Sequence, residues 1–214
     1  MENKEQTFWN WFVENKQLFE NILSNMSKEV QPQDIDNAMD LFEENLHNCN
    51  ENLWFRMGGQ NPFELIITAE GNKENFPFVE KLVENSPDIE NWKIISFIQP
   101  QSIDKFYYKQ DDYELTANEI FFSFAENLSG ENDYYFETMF YVKDDKFIDD
   151  EGFKSSIIRI AETSVGEYDF ANIVGFIDVV PTSEIYQEHP SGLLPINQFS
   201  QKVNEVKSKI NETT

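Results

Sequence analysis

The sequence contains little cysteine and little histidine. Cys49 is the only cysteine, so no disulfide can form within the chain, and its surroundings, HNCN, lack the positive charge of a reactive thiolate site. The two histidines, His47 and His189, lie far apart, and neither an HExxH nor a CxxC spacing is present. We therefore expect a reducing compartment, no metal and no cofactor.

Long apolar runs and catalytic signatures are also missing. No stretch approaches the roughly 18 apolar residues that span a bilayer, and the N-terminus, MENKEQTFWNWF, lacks the pattern of a secretion signal. We therefore predict a cytoplasmic protein without a membrane partner. GxGxxG, GxxxxGK[ST] and GxSxG are absent, and without a third histidine no serine can be singled out as a hydrolase nucleophile. The prediction is that the chain is not an enzyme.

Basic residues are few relative to acidic ones. The chain has 16 Lys and Arg against 40 Asp and Glu, a net charge of -24 at pH 7. Such a surface repels nucleic-acid phosphates and anionic headgroups, and it favours a basic protein partner because opposite fields accelerate encounter. Since 40% of the residues are hydrophobic and 15% are aromatic, the charge belongs to a folded chain. Solubility alone is the alternative explanation.

Helices are predicted at both ends of the chain. One side of a helical wheel of residues 7–28 carries Phe8, Trp11, Phe12, Phe19, Ile22, Leu23 and Met26. A second apolar set repeats at helical spacing after Pro32, where Asp34 can cap the helix. Near the C-terminus, a heptad a/d spacing predicts a helix over 195–210. Its apolar residues are Ile196, Phe199, Val203, Val206 and Ile210. This helix docks on its own domain or joins a second chain, so we expect a monomer or a weak homodimer.

Between these helices the order β-β-α-β occurs twice. LWFRM and FELIITAEG flank Gly58-Gly59 as a hairpin, followed by the helix FPFVEKLVEN and the strand WKIISFI. YELTANEIFFSFA, DYYFETMFYVK, DDEGFKSSIIRIAETS and NIVGFIDVVP repeat the order. We predict an α+β fold with a mixed or antiparallel sheet and packed helices. Its parts are a helical hairpin over 1–52, which packs on the main domain, and a 53–214 domain with a tandem repeat of 53–100 and 110–181. Together they are predicted to form one compact unit.

The densest acidic stretch, DDKFIDDEG, does not match a calcium-binding loop because the alternation of ligands and the central glycine are missing. A helix is predicted to begin here. Asp149 can cap it, and Asp150 and Glu151 favour the positive end of its dipole. Weak calcium binding is the alternative for this stretch.

Trp54 and Arg56 are the predicted contacts to a partner, because a large aromatic residue beside an arginine is a common interface anchor. Since strand neighbours alternate, one of Trp54 and Phe55 faces the core and the other faces outward. Residues 101–150 are the most acidic segment, with 13 acidic and 4 basic residues. Four of its aspartates are predicted to steer the partner: Asp111, Asp112, Asp144 and Asp145.

These features favour a non-enzymatic, acidic protein-binding module, an inhibitor or immunity-type neutralizer of a basic partner. The alternative is an enzyme or small-ligand binder whose pocket is assembled from distant carboxylates and aromatic side chains. Glu64, Glu70 and Glu167 are its acid–base candidates. A deep pocket holding carboxyl groups with raised pKa values would support that alternative.

Over about residues 53–181, the segments ELIITAEGN, FPFVEKLVENSPDIENWKIISFIQP and VGEYDFANIVGFIDVVP carry a resemblance to a known family. The matching residues are Ala69, Glu70, Gly71, Phe76, Pro77, Pro87, Trp92, Pro100, Gly166, Glu167 and Asp169. The chain resembles a family of uncharacterized bacterial cytosolic proteins of unknown function. The resemblance implies a shared fold and a bacterial source, and it supplies no mechanism.

Overall fold

The computed structural model describes residues 4–25, 30–110, 113–129, 134–143, 146–184 and 189–213. Its internal contacts divide the chain into two units, Met1–Ile98 and Gln99–Thr214. Both units combine helices with β-sheet, so the fold is α+β, with helices near both ends. The division lies at residue 98, and the N-terminal helices pack on the first sheet. A single compact unit stays a prediction.

Two helices open the first unit, α1 at Lys4–Asn25 and α2 at Pro32–His47. They pack against each other, which confirms the predicted helical hairpin. Pro32 lies in the first turn of α2. The N–H groups of this turn make no hydrogen bond within the helix, so the lack of one in proline costs nothing, and its fixed φ suits the helix. Gln31 is the N-cap residue, so the predicted cap at Asp34 is wrong; Asp34 lies within the first turn.

A three-stranded sheet follows these helices. It contains β1 at Trp54–Gly59, β2 at Phe63–Thr68 and β3 at Trp92–Ser96, with α3 at Phe76–Glu84 between the last two strands. β2 lies in the middle, antiparallel to β1 and parallel to β3. This is the predicted β-β-α-β order, in which the crossover helix α3 packs on β2 and β3.

Phe42 of α2 lies at the centre of the aromatic core of this unit. Its ring centroid is 4.2 Å from that of Phe55 on β1 and 5.5 Å from that of Phe19 on α1. Three more rings of α1 contact it, those of Phe8, Trp11 and Phe12. Trp92 of β3 completes the cluster, with its ring 5.0 Å from that of Phe12. Helices α1 and α2 therefore cover the face of the sheet that carries Phe55 and Trp92.

Trp9 is buried although the helical wheel did not place it on the apolar face of α1. Its side chain is 0% exposed, and its Nε1 donates a hydrogen bond to the carbonyl oxygen of Leu82, 2.8 Å away. Leu82 belongs to α3, so this bond ties α1 to the crossover helix. A buried indole N–H needs an acceptor, and here a main-chain carbonyl supplies it.

The second unit is built from a larger sheet, a separate hairpin and three helices among the described residues. In chain order its elements are β4 Tyr107–Gln110, β5 Tyr113–Thr116, β6 Ile120–Glu126, β7 Phe136–Val142, α4 Glu151–Val165, α5 Glu167–Ile173, β8 Val174–Gly175, β9 Val179–Pro181, β10 Leu194–Pro195 and α6 Phe199–Thr213. β4 and β5 pair with each other, and the sheet order is β10-β6-β7-β8, with β9 also paired to β7.

The second unit repeats the pairing pattern of the first. β6 and β7 are antiparallel, and the helices that follow lead to β8 and β9, which run parallel to β7. Duplication itself stays a prediction. The strand predicted over 172–181 is wrong in its extent, because α5 takes up its start and a break at Phe176, with φ of 51°, separates β8 from β9. Few non-glycine residues adopt this left-handed conformation.

The C-terminal helix α6 docks on the core of its own unit. The ring of Phe199 lies 5.1 Å from that of Phe122 and 5.3 Å from that of Phe140. Val203 and Val206 are fully buried beside it. The predicted docking of this helix on its own domain is therefore confirmed for Ile196, Phe199, Val203 and Val206, which are buried. Ile210 is only half-buried.

The central position of Phe42 can be tested by Phe42→Ala. We expect the free energy of unfolding of the first unit to fall by about 3–5 kcal/mol, as is typical for a buried phenylalanine. Phe78 on α3, which is 53% exposed, provides the control Phe78→Ala, with an expected change of about 0.5 kcal/mol or less. All four tryptophans lie in residues 1–98, so tryptophan fluorescence during urea unfolding reports on this unit. Equal destabilisation by both variants would contradict the central role.

Candidate functional site

The predicted anchors lie on the exposed face of the first sheet. Phe55 faces the helices through its contact with Phe42, so its strand neighbours Trp54 and Arg56 point to the opposite side. Trp54 is 40% exposed, and Arg56 is exposed as well. The structure thus brings the two predicted anchors together on one surface and identifies Phe55 as the inward neighbour.

We call this surface the outer face; its members are Trp54, Arg56, Glu64, Ile66, Lys93 and Ile95. Directly paired residues share a face, so Arg56, Ile66 and Ile95 form one row across the three strands. Glu64 and Lys93 form the next row, with Lys93 Nζ 3.9 Å from Glu64 Oε1. The outer face therefore combines apolar side chains with more positive than negative charge, on a chain whose net charge is -24.

His47 orients Trp54. The two rings make an edge-on contact, with centroids 5.4 Å apart and planes at 89°. His47 Nε2 donates to the carbonyl oxygen of Leu53, 3.1 Å away, which fixes the imidazole at the end of α2. Trp54 is thereby held in place while much of its ring faces solvent.

The other predicted site residues do not join this surface as a group. Asp111, Asp112, Asp144 and Asp145 lie outside the described residues, so their steering role stays a prediction. Among the acid–base candidates, Glu64 is on the outer face, Glu70 is exposed with φ of 48°, and Glu167 is fully buried at the start of α5. Glu64 and Glu70 belong to the first unit and Glu167 to the second.

Lysine side chains account for the carboxyl groups with displaced pKa values. Lys81 lowers the pKa of Glu5, Lys109 that of Glu114 and Lys202 that of Glu205, in each case first through a hydrogen bond. All three shifts stabilise the ionised form, which is the opposite of what a general acid requires.

The acidic stretch at residues 149–151 starts α4. Asp150 Oδ1 accepts a hydrogen bond from the backbone N–H of Phe153 at 3.0 Å, so Asp150 is the N-cap. The predicted cap at Asp149 is therefore wrong by one residue. Within the described ranges, no group of three or more His, Cys, Asp or Glu side chains is arranged to hold a metal ion. In the same ranges, no helix has the length and apolarity needed to cross a bilayer.

A cavity of about 560 Å³ lies between α1 and α2. Apolar and amide side chains line most of it, and Asp34 is the only ionisable residue among the described residues of its wall: Leu18, Asn21, Ile22, Asn25, Val30, Asp34, Asn37, Ala38 and Leu41. A single exposed carboxylate does not provide an acid–base pair. The described lining of this cavity therefore does not include the clustered carboxyl groups that the enzyme alternative needs.

The second unit contains a buried polar network that the sequence did not reveal. Ser123 Oγ on β6 lies 2.7 Å from His189 Nδ1 and 2.9 Å from the hydroxyl oxygen of Tyr141. His189 Nε2 lies 3.4 Å from Glu137 Oε1. Since the carboxylate only accepts, a neutral His189 that carries its proton on Nε2 donates to Glu137 and accepts from the Ser123 hydroxyl.

Serine, histidine and glutamate also make up some hydrolase triads. Here Ser123 is 1% exposed, and its oxygen bonds to the side chains of Tyr141 and His189. The network instead holds residues 189–195 against the edge of β6. Ser191 Oγ accepts the N–H of Phe124 at 2.7 Å, and β10 pairs with the other end of β6.

Comparison with models of known protein families, with curated proteins and with solved structures found no match. The suspected family resemblance therefore stays an expectation, and the site is argued from its own geometry.

The buried network makes a prediction about the stability of the second unit. Ser123→Ala removes the hydroxyl that joins Tyr141 to His189, and we expect the free energy of unfolding to fall by about 1–3 kcal/mol because buried polar atoms lose a partner. Ser208→Ala is the control, since its exposed hydroxyl only bonds the carbonyl of Asn204 on the same helix. Hydrogen exchange of β6 and β7 amides measures both. Unchanged protection in Ser123→Ala would show that the network contributes little.

The reactivity of the Cys49 thiol is predicted to depend on pH. Burial, followed by the nearby Glu5 carboxylate, raises the pKa of its thiol to about 11. At pH 8 we expect alkylation by iodoacetamide to be roughly two hundredfold slower than in the urea-unfolded chain, whose cysteine pKa is about 8.5. The rate should rise until the pH passes the folded pKa.

The raised pKa of Cys49 also makes the free energy of unfolding depend on pH. Because the folded pKa of Cys49 lies above the unfolded value, its contribution is complete below about pH 8.5 and is lost as the pH rises through the folded value. Alkylation of the folded chain as fast as of the unfolded chain at pH 8 would contradict both statements.

Proposed function

We propose that this chain is a non-enzymatic protein-binding module that captures a basic protein in the cytoplasm, as a stoichiometric inhibitor or immunity-type neutralizer. The observation that carries the proposal is the pairing of exposed Trp54 with exposed Arg56 on the outer face. Tryptophan and arginine dominate the residues that contribute most to protein interfaces. His47 already orients Trp54, so binding pays less to order that side chain.

The net charge supports a basic partner. A charge of -24 produces a long-range field that raises the encounter rate with a positively charged surface. The excess is greatest in residues 101–150, and we assign steering to Asp111, Asp112, Asp144 and Asp145 in that segment. The cavity between α1 and α2 has one carboxylate among its described lining residues, which gives less support to an enzyme or a small-ligand binder.

The capture itself is tested with the immobilised full chain as bait in the native cytoplasmic extract. We expect one basic protein at close to stoichiometric yield. The variant Trp54→Ala/Arg56→Ala should weaken its binding by a factor of about 30 or more, because each anchor contributes on the order of 1–2 kcal/mol. Phe78→Ala, which removes another exposed aromatic ring of the same unit, should bind like the wild type.

Two results would count against the proposal. Failure to recover a basic protein would reject the function, and equal binding by the wild type and the double variant would reject the outer face as the contact surface.

Steering is tested by the association kinetics of the recovered partner. Changing Asp111, Asp112, Asp144 and Asp145 to Asn should slow association and flatten its dependence on salt, with little change in dissociation. The control changes four exposed aspartates of the first unit to Asn and alters the net charge equally: Asp34, Asp36, Asp40 and Asp88. An equal decrease in both variants would show that only the net charge matters, and the local steering role would be rejected.

A further inference from the structure

β1 is an edge strand whose second edge is open. All six of its residues pair with β2, and within the described parts of the chain no other strand pairs with it. The alternate N–H and C=O groups along this edge are therefore available to another extended segment. The edge of β6 is treated differently, because β10 and Ser191 cover it.

Arg56 is the charged side chain on this edge strand. Six lysines each lie within 3.0 Å of a carboxylate oxygen: Lys81, Lys109, Lys154, Lys202, Lys207 and Lys209. Arg56, by contrast, forms no ion pair or hydrogen bond with any described residue. In a chain with 40 acidic residues, an exposed arginine without a carboxylate partner indicates that the matching carboxylate comes from elsewhere.

We propose that the open edge of β1 accepts an extended segment of the partner as a fourth strand, and that this segment places an Asp or Glu opposite Arg56. The proposal rests on the protein-binding function above and specifies how the partner is held. Main-chain hydrogen bonds to the edge supply affinity, and pockets for alternate side chains supply specificity. A planar guanidinium and a carboxylate form two parallel hydrogen bonds, which sets the register.

The alternation of the strand defines the rest of the recognised pattern. The residue opposite Arg56 lies on the outer face, so the residues two positions away on either side lie opposite Trp54 and Gly58. An apolar side chain fits beside the exposed ring of Trp54, and Gly58 offers no side chain to contact. The expected motif is therefore an acidic residue with an apolar residue two positions along.

A local acidic residue is compatible with a basic partner. The net field of the chain acts over a Debye length of about 10 Å at 0.1 M salt, whereas Arg56 acts at hydrogen-bond distance. The net negative field favours the approach of a basic protein, and the contact with Arg56 selects which segment of that protein pairs with β1. A second copy of this chain fits less well, because two charges of -24 repel each other.

The probe is a library of random peptides displayed on phage and selected on the full-length chain. Wild type should enrich peptides with the acidic and apolar pattern. The variant Arg56→Glu should lose these peptides, with binding weakened at least tenfold, and should enrich Lys or Arg at the same position. Arg159→Glu is the matched control, because Arg159 is the only other arginine and is also exposed; it should select the same peptides as the wild type.

Strand addition is separated from side-chain docking by N-methylation of a selected peptide. Methyl groups on the amides that face β1 should weaken binding at least tenfold, and those on the intervening amides should have little effect, because only alternate amides bond to the edge.

Three results would overturn the proposal: no enriched pattern, a pattern indifferent to Arg56→Glu, or equal tolerance of every N-methyl group. A concentration-dependent dimer that Arg56→Glu abolishes would also overturn it, in favour of a second copy at this edge. None of these results affects the capture of a basic protein by the intact chain, so the function and the mode of binding fail separately.

Discussion

The contact between Phe55 and Phe42 determines how the first unit presents its sheet. Their ring centroids are 4.2 Å apart, and Phe42 also touches four aromatic rings of α1. Aromatic pairs of this kind each contribute about 0.5–1.5 kcal/mol beyond the area that they bury. With Phe55 held against the helices, the alternation of the strand sends Trp54 and Arg56 outward. A shift of the strand register by one residue would turn Arg56 toward the helices and bury its charge without a partner. The contacts of Phe55 in the aromatic cluster oppose such a shift.

Much of the fold could be predicted because its helices and strands have clear periodicity. The hairpin of β1 and β2, both N-terminal helices and the docked helix α6 all follow from apolar spacing. The exceptions depend on tertiary contacts that spacing does not contain. Trp9 is buried because the carbonyl of Leu82 receives its N–H, and the apolar run after residue 172 is divided because Phe176 takes a left-handed conformation.

The candidate site could be predicted only in part, for the same reason. Alternation along β1 required that one of two neighbouring aromatic residues face outward, but Phe42 decides which one. Ser123 and His189 are separated by 66 positions and come together because the segment after β9 returns along β6. No local sequence motif predicts that this segment runs back along β6. Sequence spacing predicts which residues share an element, whereas the partners of an element depend on the path of the chain between elements.

The pairing of charges explains how an acidic chain can offer a basic anchor. Most of the lysines with close partners are neutralised by carboxylates on neighbouring elements, as in the pair of Lys209 with Glu126. These pairs remove positive charge from the surface and leave the remaining carboxylates to produce the field. Arg56 stays outside this pairing, in a row with Ile66 and Ile95 on the outer face. Its charge therefore acts only at contact, which makes it a determinant of specificity within a surface whose attraction at long range has the opposite sign.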